Sequence, residues 1–141
     1  MTKRDIFIQA CLQFLTLPYK WGGDDPIKGY DCSGLIQELF SFLGLDPKED
    51  QTAQGLYEYF KPRSISTVKT GTLCFYGSSV FNITHVGMII DGDYMMLEAG
   101  GGNSSTNTLE AAANQNAYVR IRPYHLRKDL VAILTPSALP W

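Results

Sequence analysis

The sequence predicts an α+β fold, with helices in its first half packed on a small, mainly antiparallel sheet formed by its second half. Three observations carry this. Apolar residues recur at helical spacing up to about residue 60, five short β-rich runs crowd into residues 73–134, and several of those runs are joined by turns too short for a crossover helix. Residues 5–17 read as an amphipathic helix with Ile6, Ala10, Leu12, Phe14, Leu15 and Leu17 on its apolar face and Pro18 as its stop. After the turn cluster Trp21-Gly22-Gly23-Asp24-Asp25-Pro26, the spacing of Leu35, Ile36, Leu39, Phe40 and Leu43 predicts a second helix that ends at Gly44. Asp46-Pro47 breaks the chain, and residues 52–60 form a weaker helical segment. The strands are expected at 73–76, 86–90, 94–97, 118–121 and 130–134, with Asp91-Gly92-Asp93 as a hairpin turn between the second and third. Gly100-Gly101-Gly102-Asn103-Ser104-Ser105 has the composition of a flexible loop, which fits a loop that gates a site and a plain surface connection equally well.

A length of 141 residues with 45% hydrophobic and 18% charged residues suits one domain with one core, and nothing resembles a repeat or an interdomain linker. Twelve Lys and Arg against fourteen Asp and Glu give a net charge of −2, which lacks the basic footprint that nucleic-acid binding needs. No apolar run approaches the ~18 residues of a membrane span. The stretch Ile6-Phe7-Ile8-Gln9-Ala10-Cys11 superficially resembles a lipoprotein signal, but it is short and interrupted by Gln9, so no export signal is read there. The three cysteines contain no CxxC pair, which argues against a disulfide framework and against a zinc site, and no cofactor is expected.

The chemistry gathers around Cys32, in Gly29-Tyr30-Asp31-Cys32-Ser33-Gly34-Leu35, where turn residues give way to a helical pattern. The unpaired N–H groups and positive end of a helix favour a thiolate, and a neighbouring imidazolium favours it further. Cys11 and Cys74 lie in apolar segments and read as inert core thiols. Of the two histidines, His85 opens a strand and can project from a rigid edge, whereas His125 sits with Arg122, Arg127 and Lys128 in what reads as solvated basic surface. A nucleophile and its base need a third group to orient the imidazole. Glu98 fits, because an antiparallel return from the His85 strand brings it back near His85, and a carboxylate in an apolar run has little reason to be buried unpaired. Asn82 and Asn103 are weaker choices.

These residues resemble a known family. Leu17-Pro18-Tyr19-Lys20-Trp21-Gly22-Gly23, the block around Cys32, Gly71-Thr72-Leu73 and His85-Val86-Gly87-Met88 look like successive motifs of the NlpC/P60 cysteine peptidases, a resemblance that spans residues 5–135. It implies a circularly permuted papain-like fold and hydrolysis of peptidoglycan stem peptides, commonly after D-γ-glutamyl at diaminopimelate or lysine. By the same resemblance Cys32 is the nucleophile, His85 the base, Glu98 the third member and Tyr19 the tyrosine that faces the cysteine. Asp31 and Ser33 match residues that help bind a free amine of the stem peptide, and Trp21 is a further substrate-binding candidate. Asp24 and Asp25 either extend an acidic lip or solvate their loop. Two departures stand out: the third member is often histidine in this family, and Gly71-Thr72 replaces a usual Gly-Asp.

The expected reaction is acyl transfer through a thioester on Cys32, with the oxyanion held by the Cys32 N–H and the Tyr19 hydroxyl. The partner is peptidoglycan or a muropeptide. The expected setting is a phage lysis or tail-associated enzyme first, or else a cytoplasmic enzyme acting on recycled muropeptides or a domain released from a larger chain. A papain-like amidase or acyltransferase acting on a lipid or another amide, and a non-catalytic binding module of the same fold, are the competing readings.

Overall fold

Thr2 opens the first helix: its hydroxyl accepts from the Asp5 N–H at 3.1 Å while the Asp5 carboxylate accepts from the Thr2 N–H at 3.0 Å, a reciprocal cap on α1 (Lys3–Leu12). The computed structural model describes residues 1–25, 29–92 and 94–141. It ends this helix at Leu12, short of the expected Leu17. The sheet competes for the segment beyond: the Thr16 N–H donates to the Val119 carbonyl at 2.9 Å, and the Val119 N–H donates to the Leu17 carbonyl at 2.8 Å. The buried face also differs from the expected one. Phe7 and Cys11, one turn apart, enter the core, whereas Ile6 and Leu12 are exposed.

Asp31 caps α2 (Cys32–Ser41) and Thr52 caps α3 (Ala53–Phe60), each accepting from the backbone N–H three residues on. Among the described residues, β3 (Ser64–Ile65), β4 (Leu73–Ser79), β5 (Asn82–Asp91), β6 (Met95–Gly100), β7 (Tyr118–Pro123) and β8 (Leu130–Pro136) form one sheet in the order β3-β8-β4-β5-β6-β7, with every pairing antiparallel. The five expected strands are present and longer than predicted. Three features escaped the sequence: a small pairing of β1 (Asp24–Asp25) with β2 (Gly29–Tyr30), the short edge strand β3, and α4 (Leu109–Asn114). Two-residue strands show no alternation and a six-residue helix shows barely one period, so neither pattern is readable. Pro26 of the turn cluster and Asp93 of the hairpin lie outside the described residues.

The core lies between helices and sheet. Leu35, Ile36, Leu39 and Phe40 of α2 and Leu56 and Phe60 of α3 are buried with Phe75, Val86, Met88 and Leu97 from the strands. Each such side chain contributes about 1.5–3 kcal/mol on burial, so this layer fixes where the N-terminus of α2 points. Cys11 and Cys74 are fully buried, as expected of core thiols. Among the described residues no helix is long and apolar enough to cross a membrane.

The loop before α2 is pressed onto its first turn. The Asp31 N–H donates to the Gly23 carbonyl at 3.0 Å, and a β-carbon on Gly34 would stand 2.2 Å from that same carbonyl oxygen. Gly34→Ala is therefore expected to lower stability by about 2 kcal/mol in urea unfolding, because backbone must move to admit the methyl group. An unchanged midpoint would show that this approach is not tight.

Candidate active site

Cys32 is the first residue of α2, so its side chain stands at the helix end where backbone N–H groups lack intrahelical acceptors. The burial of α2 against β5 and β6 brings that end to His85, close enough for the Cys32 sulfur to favour the charged form of the imidazole. From the other side, the pairing of Met88 with Leu97 sets the register of β5 and β6 and brings Glu98 diagonally toward His85. Glu98 Oε1 lies 2.6 Å from His85 Nε2, with both residues buried. With Nε2 engaged by Glu98, Nδ1 is the ring nitrogen left to face sulfur. The structure thus brings together Cys32, His85 and Glu98 as the sequence predicted, although Glu98 sits within β6 rather than at its end.

Opposing effects set the charge state of this cluster. Burial alone would push the His85 imidazole toward its neutral form, but the hydrogen bonds and negative charges of Cys32 and Glu98 overcome it and raise its pKa to about 9. For Glu98, burial favours the neutral acid, yet His85 and Arg120 hold the carboxyl down to about 2. Burial pushes the Cys11 and Cys74 thiols up to about 12, which leaves them protonated and unreactive at neutral pH.

Tyr19 lies across the site. Its ring packs on Gly102, where a β-carbon would come within 2.2 Å of it, and burial, with the charges of Cys32 and Asp31, keeps its phenol protonated. The glycine-rich segment is thus a fitted wall behind Tyr19, which composition alone did not reveal. Its Thr106 accepts from the Trp21 N–H at 2.8 Å and so ties the two rims together. A cleft of about 450 Å³ opens over Cys32, bordered by Tyr19, Trp21, Asp31, Ser33, Asp50 and Thr84 among others. Trp21 is half exposed on its rim.

Asp31 and Ser33 face this cleft but already have structural duties. Asp31 Oδ1 accepts from the Gly34 N–H at 2.7 Å and from the Ser33 hydroxyl at 3.3 Å. Burial nevertheless raises the pKa of Asp31, against those hydrogen bonds and with help from the charge of Asp50. Asp24 borders a neighbouring depression with Glu38, Asp46, Glu49 and Asp50. Asn82 bonds the Ser78 hydroxyl, and Asn103 folds its own loop, so neither competes with Glu98. Thr72, in place of the usual Asp, is fully buried and shares a 2.7 Å hydrogen bond with Thr135 away from these residues.

The basic residues need a correction. Arg122 is not simply solvated surface: it reaches to 3.9 Å from Glu98, and Arg120, passed over in the sequence, donates from Nε to Glu98 Oε2 at 3.1 Å. Arg127 pairs with Asp129 at 2.8 Å and lies over the ring of Tyr76, which itself stacks 5.6 Å from His85. His125 and Lys128 remain exposed, with His125 in contact with Tyr94. The alternation Val119-Arg120-Ile121-Arg122 beside the strand of a lone carboxylate was the available signal. Among the described residues no cluster of three or more His, Cys, Asp or Glu side chains is arranged to hold a metal ion.

A thiol at a helix end, an imidazole against it and a buried carboxylate behind the imidazole make the constellation used for acyl transfer by cysteine nucleophiles. The chain belongs to the NlpC/P60 family, whose profile matches residues 16–123. It is 30% identical over 115 residues to the bifunctional muramidase/DL-endopeptidase CwlT of Bacillus subtilis, covering 80% of this chain and 32% of that one. It is 36% identical over 100 residues to the gamma-D-glutamyl-L-lysine dipeptidyl-peptidase of the same organism, covering 67% of this chain and 31% of that one. The chain therefore spans about a third of the length of these relatives. A crystal structure of an NlpC/P60 family protein from Bacillus cereus superposes with a TM-score of 0.69 at 21% identity, over 94% of this chain and 39% of that one, which shows the shared fold.

The charge states have a consequence for stability. A histidine raised from 6.5 to about 9 stabilises the fold fully below pH 6.5, and that contribution is lost as pH rises through 9. Glu98, held from 4.5 down to about 2, contributes fully above pH 4.5 and loses its contribution as pH falls toward 2. Thermal unfolding is expected to show a stability loss on the order of 2–3 kcal/mol between pH 6.5 and 9 that is absent in His85→Ala. The same slope in both proteins would assign it to other groups.

Proposed function

We propose that this chain is a cysteine endopeptidase that hydrolyses an amide bond in the stem peptides of bacterial peptidoglycan, at a D-γ-glutamyl linkage to diaminopimelate or lysine. The observation that carries this reading is the line from the Cys32 thiol through the His85 ring to the Glu98 carboxylate, closed by the 2.6 Å contact. The family and the activities that the two relatives are named for support the substrate class.

In the proposed reaction the Cys32 thiolate attacks the amide carbonyl, forming a C–S bond. His85, as imidazolium, donates its Nδ1 proton to the departing amine as the C–N bond breaks. Water then enters, gives its proton to the now neutral imidazole and attacks the thioester, which releases the carboxylic acid and restores the thiolate. The Cys32 backbone N–H at the start of α2 and the protonated Tyr19 hydroxyl would hold the oxyanion, where one such donor is worth about 3–4 kcal/mol of barrier. The carboxylates of Asp31 and Asp50 on the cleft wall suit an ammonium group of the stem peptide, and half-exposed Trp21 supplies an apolar rim.

Purified protein incubated with peptidoglycan and with defined muropeptides is expected to release new amine-bearing fragments resolvable by mass. Cys32→Ala is expected to lower that rate by more than about a thousandfold while unfolding at a similar temperature. Identical product profiles from the two proteins would defeat the proposal. Preferential turnover of synthetic acyl esters over muropeptides would favour an acyltransferase instead.

A further inference from the structure

Glu98 has two oxygens and two different partners. Oε1 meets the His85 ring at 2.6 Å, and Oε2 accepts from Arg120 Nε at 3.1 Å, with Arg122 Nη1 farther off at 3.9 Å. Arg120 is Glu98's direct cross-strand neighbour in the pairing of β6 with β7. Its guanidinium packs closely against Gly100, where a β-carbon would stand 2.7 Å from Arg120 Nη2 and 3.0 Å from its Nε. The arginine is thus held by packing as well as by charge, with its side chain 22% exposed against 37% for Arg122.

This matters because a buried carboxylate with one free oxygen can rotate away from the imidazole or exist as the neutral acid, and either change would remove the anion opposite the His85 proton. We propose that Arg120 is a positioning residue: by gripping Oε2 it holds Glu98 ionised and aimed, so that Glu98 can keep the His85 ring turned toward Cys32. Arg120 touches neither the sulfur nor the cleft, and its effect on the reaction passes through Glu98 alone. The Glu98 carboxylate lies between two cationic partners, His85 and Arg120, and loss of the arginine leaves that buried anion with only one of them in hydrogen-bond contact. The inference deepens the reading given above by adding a fourth side chain to its machinery.

The reactivity of Cys32 toward iodoacetamide at mildly acidic pH tests this without a natural substrate, because only a thiol partnered by an imidazolium alkylates quickly there. Arg120→Gln is expected to slow alkylation about tenfold, and Glu98→Gln by at least as much. The double variant is expected to be no slower than Glu98→Gln alone, and Arg120→Lys, which keeps the charge, to stay within about threefold of wild type. Thermal melts of each variant identify any that fails to fold; should Arg120→Gln fail, the lysine variant is decisive when combined with Glu98→Gln. Losses that multiply in either double variant, a wild-type rate in Arg120→Gln, or an Arg120→Lys rate as low as that of Arg120→Gln would each overturn the assignment. Fast alkylation in a wild type that cleaves no muropeptide would refute the peptidase reading while leaving the role of Arg120 standing.

Discussion

A carboxylate buried inside a β-strand is costly unless charge meets it, and Glu98 is met on both sides. Its contact with His85 is the interaction on which the rest of the site depends. It fixes which ring nitrogen faces the strand and which faces Cys32, and together with Cys32 it keeps the imidazole charged in surroundings that would otherwise discharge it. Remove it, and the thiol at the end of α2 has a neighbour of the wrong charge and an uncertain orientation.

The fold's contribution is to bring three separate segments to that contact. The packing of α2 and α3 on the sheet sets the helix end over β5, the antiparallel pairing of β5 with β6 carries Glu98 back beside His85, and β7 adds the arginines. Around this centre, glycines permit close approach where a side chain would intrude. Gly34 lets the preceding loop lie on the first turn of α2, and Gly102 lets the Tyr19 ring pack closely beside the cleft that holds Cys32. The open side of the site carries Asp31 and Asp50, so the cleft presents negative charge to whatever enters it.

Much of this was legible in the residues themselves. Cys32 was marked by the change from turn to helical periodicity, His85 by the start of a strand, and Glu98 by a carboxylate where an apolar run left it nothing to do but pair. What stayed hidden depended on contacts between distant segments. Leu17 had the periodicity of a helix but became a partner of Val119 in the sheet. Arg122 had the look of a solvated face and Arg120 drew no notice, because their relation to Glu98 exists only once β6 and β7 are in register. The polar, glycine-rich loop looked free for the same reason, since its packing against Tyr19 joins residues far apart in the chain.

The most direct measurement is an NMR titration of the His85 ring in the wild-type protein and in Cys32→Ala. The wild-type ring is expected to stay protonated well past pH 6.5 and to lose its proton near pH 9, with a lower midpoint once the sulfur is gone. A wild-type ring that is already neutral at pH 7, or whose midpoint ignores the loss of Cys32, would contradict the pairing of sulfur, imidazole and carboxylate.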